Sequence, residues 1–173
     1  MGATLLLTLF ISRLKAYMGT EQDKAKVELE IFQKFIEKAG IFVNQSSISK
    51  PGTQFDPDIF CTLDSGEQVA YELVEICSSD IAVSFSKIRN GGSDAFSTSD
   101  PTKSVVRKKL HKTYQTKRPI ELLCYTNGRT ISPDDLIINE AQQLACTIKS
   151  PFRRVWLLGE KGVYEVWSAT DND

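Results

Sequence analysis

The spacing of apolar positions divides the chain into alternating helical and extended stretches. From Glu21 to Ala39, placing residues at about 100° intervals puts Val27, Ile31, Phe32, Phe35 and Ala39 on one face, which predicts an amphipathic helix, with Gly40 as its stop. "IFVNQ", 41–45, predicts a short strand before a serine-rich loop containing Pro51 and Gly52. Two further strands are expected at 55–63 and 68–76, joined by the turn "DSGE" at 64–67. The serine- and glycine-rich section 77–100 reads as loop, with Ile81, Phe85 and Ile88 spaced for one short helix inside it.

Beyond that loop the signals sharpen. In "SDPTKSVVRKKLHKTYQTKR", Asp100 can cap a helix, Pro101 suits its first turn, and Val106, Leu110 and Tyr114 form its buried stripe. "PIELLCYT", 119–126, reads as a buried strand. "SPDDLIINEAQQLACTI" repeats the cap-plus-proline start of a helix, and "VWLLGEKGVYEVW" reads as a closing hairpin turned by "GEKG". Trp156, Tyr164 and Trp167 in that hairpin suit cross-strand packing. A strand, helix and strand over 68–126 implies a crossover, hence a mixed sheet and an α/β (α+β) class.

Composition adds boundaries more than chemistry. The chain has 173 residues, 41% hydrophobic and 25% charged with net charge -1, as expected of one globular domain without a bulk electrostatic bias toward nucleic acid or membranes. We expect a single domain over 21–168, a tail at 169–173 and an N-terminal extension at 1–20, since Met18 opens a sensible start for the domain. The apolar run Ala3–Ile11 spans nine residues, against the roughly 20 that cross a bilayer. Arg13 and Lys15 follow it instead of preceding it, so stable membrane insertion is not expected. Cys61, Cys77, Cys124 and Cys146 form no CxxC pair and suit a reducing, cytoplasmic setting as small hydrophobes. His111 lies in a run of lysines, which leaves no histidine-based triad or zinc site.

Chemistry enters with the carboxylates. Asp58, Glu72 and Glu75 lie in strands bounded by Phe, Ile, Val and Leu, where an acid costs desolvation energy unless it is paired or bound to a cation. Antiparallel pairing across the turn can set Asp58 beside Glu72, an arrangement suited to magnesium, which needs few carboxylates. Glu28 falls near the middle of the first helix's apolar face and is better placed than Glu30 to join them.

Helix-acid, then Pro57-Asp58, then an apolar strand bearing Glu72, then a helix and a strand resembles the PD-(D/E)XK, or restriction-endonuclease-like, nuclease superfamily. The resemblance covers about residues 21–126. It implies a restriction-endonuclease-like mixed sheet with core order α-β-β-β-α-β, here followed by an additional helix and the C-terminal β-hairpin. It also implies hydrolysis of phosphodiester bonds in DNA or RNA dependent on Mg2+ or Mn2+, with Asp58, Glu72 and the Leu73 carbonyl as metal ligands and Glu28 as an auxiliary acid.

The chain departs from that pattern at Val74, where the family carries a lysine that positions or activates the attacking water. Three readings stay open: Lys103 or Arg107 from the following helix replaces it; Glu75 enters the site through a local bulge; or the site no longer cuts and the scaffold is a catalytically inactive nucleic-acid or protein interaction module. From Pro101 to Ile120 no acid occurs, whereas Lys103, Arg107, Lys108, Lys109, Lys112, Lys117 and Arg118 do. Lys103, Arg107, Lys108, Lys109 and Lys112 are therefore candidate phosphate contacts. Lys108, Lys109, His111 and Lys112 fall opposite the apolar stripe, where they meet water or a ligand. Homodimerisation is left open by the sequence, and the segment 77–100 is either a mobile loop over the site or a plain connector.

Overall fold

The computed structural model describes residues 21–53, 55–77, 100–128 and 130–169. The predicted short helix at 81–88, the N-terminal extension and most of the tail lie outside the described residues. The first helix, α1 (Glu21–Ala39), ends as its sequence dictates. Gly40 takes φ of 66°, Ile41 N–H donates to Ile36 O at 2.9 Å and Gly40 N–H to Glu37 O at 3.3 Å, so the freed carbonyls are satisfied by a Schellman turn.

Strands β1 (Ile59–Thr62) and β2 (Gln68–Glu75) form the expected hairpin, but β1 begins four residues after the start of the strand predicted at 55–63, so Asp58 immediately precedes it. Gly66, with φ of 88°, supplies the left-handed position between them, where a side chain would be strained. The strand predicted at 41–45 is reduced to one bridge, Val43 with Leu63, because Asn44 accepts from Ser46 N–H and winds Gln45–Ser47 into a 3-10 turn. The chain then runs outside β1 and bridges it again at Ser49 and Phe60.

Helix α2 (Thr102–Leu110) leads to β3 (Ile120–Tyr125), and α3 (Asp134–Thr147) leads to β4 (Phe152–Leu158) and β5 (Val163–Ser168). The five strands lie in chain order; β1/β2 and β4/β5 are antiparallel, and β2/β3 and β3/β4 are parallel. The fold is thus mixed α/β with one five-stranded sheet and three described helices.

Alternation along the strands gives the sheet two buried faces. Val69, Tyr71 and Leu73 of β2 meet Phe32 and Phe35 of α1, whereas Ala70 shares its cluster with Val106 and Leu110 of α2 and Ile137 and Leu144 of α3. Covering both faces of β3 explains its unbroken buried run. Cys61 and Cys124 are core residues: burial, then the Glu121 charge, pushes the Cys61 thiol up to about 11, and burial pushes Cys124 up to about 12. Both thiols therefore stay protonated near neutrality, in keeping with their role as small hydrophobes. No described helix is long and apolar enough to cross a membrane.

Asp100 starts α2 by accepting from Thr102 N–H at 2.9 Å and Thr102 Oγ1 at 2.6 Å. Burial acts to raise its carboxyl, but the hydrogen bonds from Thr102 outweigh it and hold the group below its ordinary value. The stabilisation is therefore present above the ordinary carboxylate range and is lost as pH falls through the depressed value. Asp100→Ala is expected to cost about 1 kcal/mol in urea unfolding at neutral pH. The difference from the native chain should shrink on acidification; a constant difference down to strongly acidic pH would remove the capping role.

Candidate functional site

The β1–β2 hairpin builds the centre of the site. Ile59 pairs with Tyr71, and the same register continued by one residue sets Asp58 opposite Glu72. Asp58 Oδ2 accepts from Leu73 N–H at 2.8 Å, which ties the acid to the strand that carries its partner. Even positions of β2 donate toward the β3 side, as Ala70 does to Pro119 O and Ile76 to Tyr125 O, so Leu73 directs its backbone toward β1, beyond the point where β1 begins.

Glu72 shares its face with Ala70 and Val74, under α2, and its exposure is 0%. An isolated carboxylate there would cost several kcal/mol. Two ammonium groups compensate it: Lys109, in the last turn of α2, and Lys112, just past the helix end, both donate to Glu72 Oε1, Lys112 at 3.0 Å. Their side chains are 23% and 34% exposed, so the stems cover apolar surface while the heads turn in. Glu72 Oε2 is buried and accepts from neither lysine; its neighbour is the buried Tyr114 hydroxyl, which can donate to the Glu72 carboxylate.

Tyr114 follows from where α2 stops. The helix ends at Leu110, so Tyr114 does not continue the Val106–Leu110 stripe; it comes in on the connecting segment, edge-on to Phe152 at 5.7 Å, with Lys112 Nζ 4.6 Å from its ring centroid. Burial pushes its phenol up, and the charge of Glu72, a hydrogen bond to Glu72 and then the charge of Asp58 add to the shift. Around neutral pH it is a proton donor and not a base.

The remaining candidates lie elsewhere. Glu28, 7% exposed, pairs with Lys50 and, at 3.7 Å, with Lys24. The β2–β3 register runs without a shift from Ala70 to Glu75, so no bulge turns Glu75 toward Glu72. Lys103 pairs with Glu140 of α3 at 3.3 Å, and Arg107 and Lys108 are exposed. Of the basic residues expected at phosphate, Lys109 and Lys112 are instead turned inward onto the buried acid.

Among the described residues no group of three or more His, Cys, Asp or Glu side chains could hold a metal. A cation there would have to rest on Asp58, the Glu72 oxygen that the lysines leave, the Leu73 carbonyl and water.

A second buried acid lies on the opposite face. Glu121, 1% exposed, accepts from Arg153 Nε and Trp156 Nε1, both at 2.7 Å, with Arg154 Nη1 at 3.6 Å, and Arg153 reaches on to Glu67. Burial acts to lower the Arg153 guanidinium, but hydrogen bonds to Glu67 and Glu121 outweigh it and hold it above its ordinary value. This cluster is paired throughout and reads as structural; an acid inside "IELLCY" was its signal in the sequence. Comparison with protein-family models, with curated proteins and with solved structures finds no match to this chain.

Proposed function

We propose that the chain is a divalent-metal-dependent phosphodiesterase acting on DNA or RNA, a divergent restriction-endonuclease-like nuclease in which α2 and the segment after it supply the lysine that β2 lacks. One observation carries this reading: Glu72, fully buried opposite Asp58, has both ammonium groups on one carboxylate oxygen and leaves the other outside the ion pairs. Val74 lies on the Glu72 face, so Lys109 and Lys112 bring cationic donors to the same region that a lysine at position 74 would reach.

A magnesium or manganese ion held there would supply positive charge against the charge developing on the phosphate. The chain's own residues do the rest. Lys109 and Lys112 orient Glu72 and, being partly exposed, can donate to a phosphate oxygen or an approaching water. Tyr114, kept protonated, can donate to the Glu72 carboxylate but cannot take a proton. Asp58 is held in register by Leu73 N–H. One observation favours a second reading, a non-cleaving interaction module: Lys109 and Lys112 already neutralise Glu72 without a cation.

The two readings separate on plasmid, single-stranded DNA and RNA incubated with magnesium, manganese or EDTA. The enzyme reading expects metal-dependent cleavage that Asp58→Asn reduces by about 100-fold or more, beyond the 10–100-fold typical of residues that only support a metal ligand. Cleavage absent with either metal, or unchanged in the variant, assigns these residues to binding alone.

A further inference from the structure

We infer that the groove beside the acidic pair is a subsite for one unpaired nucleotide, which makes single-stranded nucleic acid the substrate class. The inference rests on the phosphodiesterase reading for its place in a reaction, but its evidence is separate. The groove holds about 520 Å³ and is lined by Asp56, Phe60, Gln68, Gln115, Lys117 and Arg118. That volume lies within the range of pockets that take small ligands, about 300–1,000 Å³.

Position ties the groove to the site. Phe60 packs on the α2 side of the sheet, opposite Ala70, and is two residues along the chain from Asp58, a separation of about 7 Å in an extended strand. The segment that brings Lys112 and Tyr114 to Glu72 continues into Gln115, Lys117 and Arg118, and Gln115 N–H anchors it to Phe55 O at 2.9 Å. A strand with its phosphate at Asp58–Glu72 would thus place a neighbouring nucleotide in the groove.

The lining has the chemistry for a base with its phosphate. The Arg118 guanidinium stands 4.3 Å over the Phe60 ring, a flat cationic platform of the kind on which unpaired bases stack. Neither Lys117 nor Arg118 forms an ion pair with a described carboxylate. The one acid in the lining, Asp56, is engaged by Thr53 Oγ1 at 2.7 Å. Gln68 and Gln115, both exposed, offer amides that can donate to and accept from a base edge. Bases inside a duplex are stacked on each other and cannot use such a platform, so the groove selects single strands.

The test measures binding in EDTA, where no cleavage intervenes, with labelled oligothymidylate, oligouridylate and a duplex of matching length. Arg118→Gln is expected to weaken single-strand binding by about 10-fold, within the range for loss of one stacked base, and to leave duplex binding nearly unchanged. Arg118→Lys should lose as much, because it keeps the charge and loses the plane. Comparison of the two single strands tells whether the sugar matters. Equal losses on single strand and duplex would reduce the groove to a polyanion contact and overturn the inference; so would full retention of single-strand binding. Should Arg118 variants fail to fold, as judged by circular dichroism, Gln115→Ala with Lys117→Ala at exposed positions decides by the same criterion. Cleavage absent in the native chain with magnesium or manganese removes the phosphodiesterase reading and leaves this binding result standing; cleavage kept with single-strand preference lost by Arg118→Gln in neither assay removes the subsite alone.

Discussion

On the phosphodiesterase reading, Glu72→Gln should sharply reduce metal-dependent cleavage while leaving the chain folded, and removing both lysines should cost far more stability than loss of a surface ion pair would. Glutamine is isosteric and keeps a hydrogen-bond acceptor for Lys109 or Lys112, whose partly exposed ammonium groups can return to water. What is lost is the charged oxygen pair, so activity should fall by about 100-fold or more, past the range for indirect support of a metal. Lys109→Met with Lys112→Met instead leaves a fully buried carboxylate without compensation, a change that typically costs about 3–5 kcal/mol. Adding Glu72→Gln to that double variant should recover most of the loss. Urea unfolding of the four proteins checks the cycle; a lysine-free variant as stable as the native chain would mean that the two ion pairs carry little of the burial cost.

A loss of stability as large is expected at Glu121→Ala. The substitution strips acceptors from Arg153 Nε and Trp156 Nε1 at once, leaving a half-buried indole donor and a half-buried guanidinium that retains Glu67. A loss of about 3–5 kcal/mol is expected, as for other broken buried pairs. Glu121→Gln, which can still accept from the indole, should cost less than half of that by urea unfolding, since only the charged part of the interaction is removed. Equal losses in the two variants would place the cost in packing and not in the ion pair.

Much of this arrangement was legible in the residues. The helix stop at Gly40, the hairpin at Asp64–Glu67 and the opposition of Asp58 and Glu72 each follow from local rules: a glycine free to take positive φ, a four-residue turn signal and antiparallel register. The cations on Glu72 were not legible for two reasons. Lys109 lies inside the helix, about 60° from Val106 and so beside the buried stripe instead of opposite it. Lys112 falls past the helix end, where a helical projection no longer applies. The helix stops at Leu110, and from there the backbone, not the projection, decides where Lys112 and Tyr114 point. Glu121 was missed although the desolvation reasoning applied to Glu72 fits it equally; its partners come from β4, whose register shifts beside Glu121, and no spacing in the sequence announces that shift. Val43 shows the limit of propensity: an apolar segment became a bridge because a neighbouring asparagine offered the backbone a closer bond.

The strand order, identical to the chain order among the described residues, has a kinetic consequence. Each strand can join an edge already present, and none has to be inserted between two that have paired. The hairpins β1–β2 and β4–β5 close short loops, so the entropy of bringing distant segments together is concentrated in the two parallel joins, β2 to β3 and β3 to β4. The centre strand, β3, is therefore the piece on which collapse of the two halves depends. Weakening its core contacts should slow folding, whereas equal damage in the terminal hairpin should act chiefly by speeding unfolding.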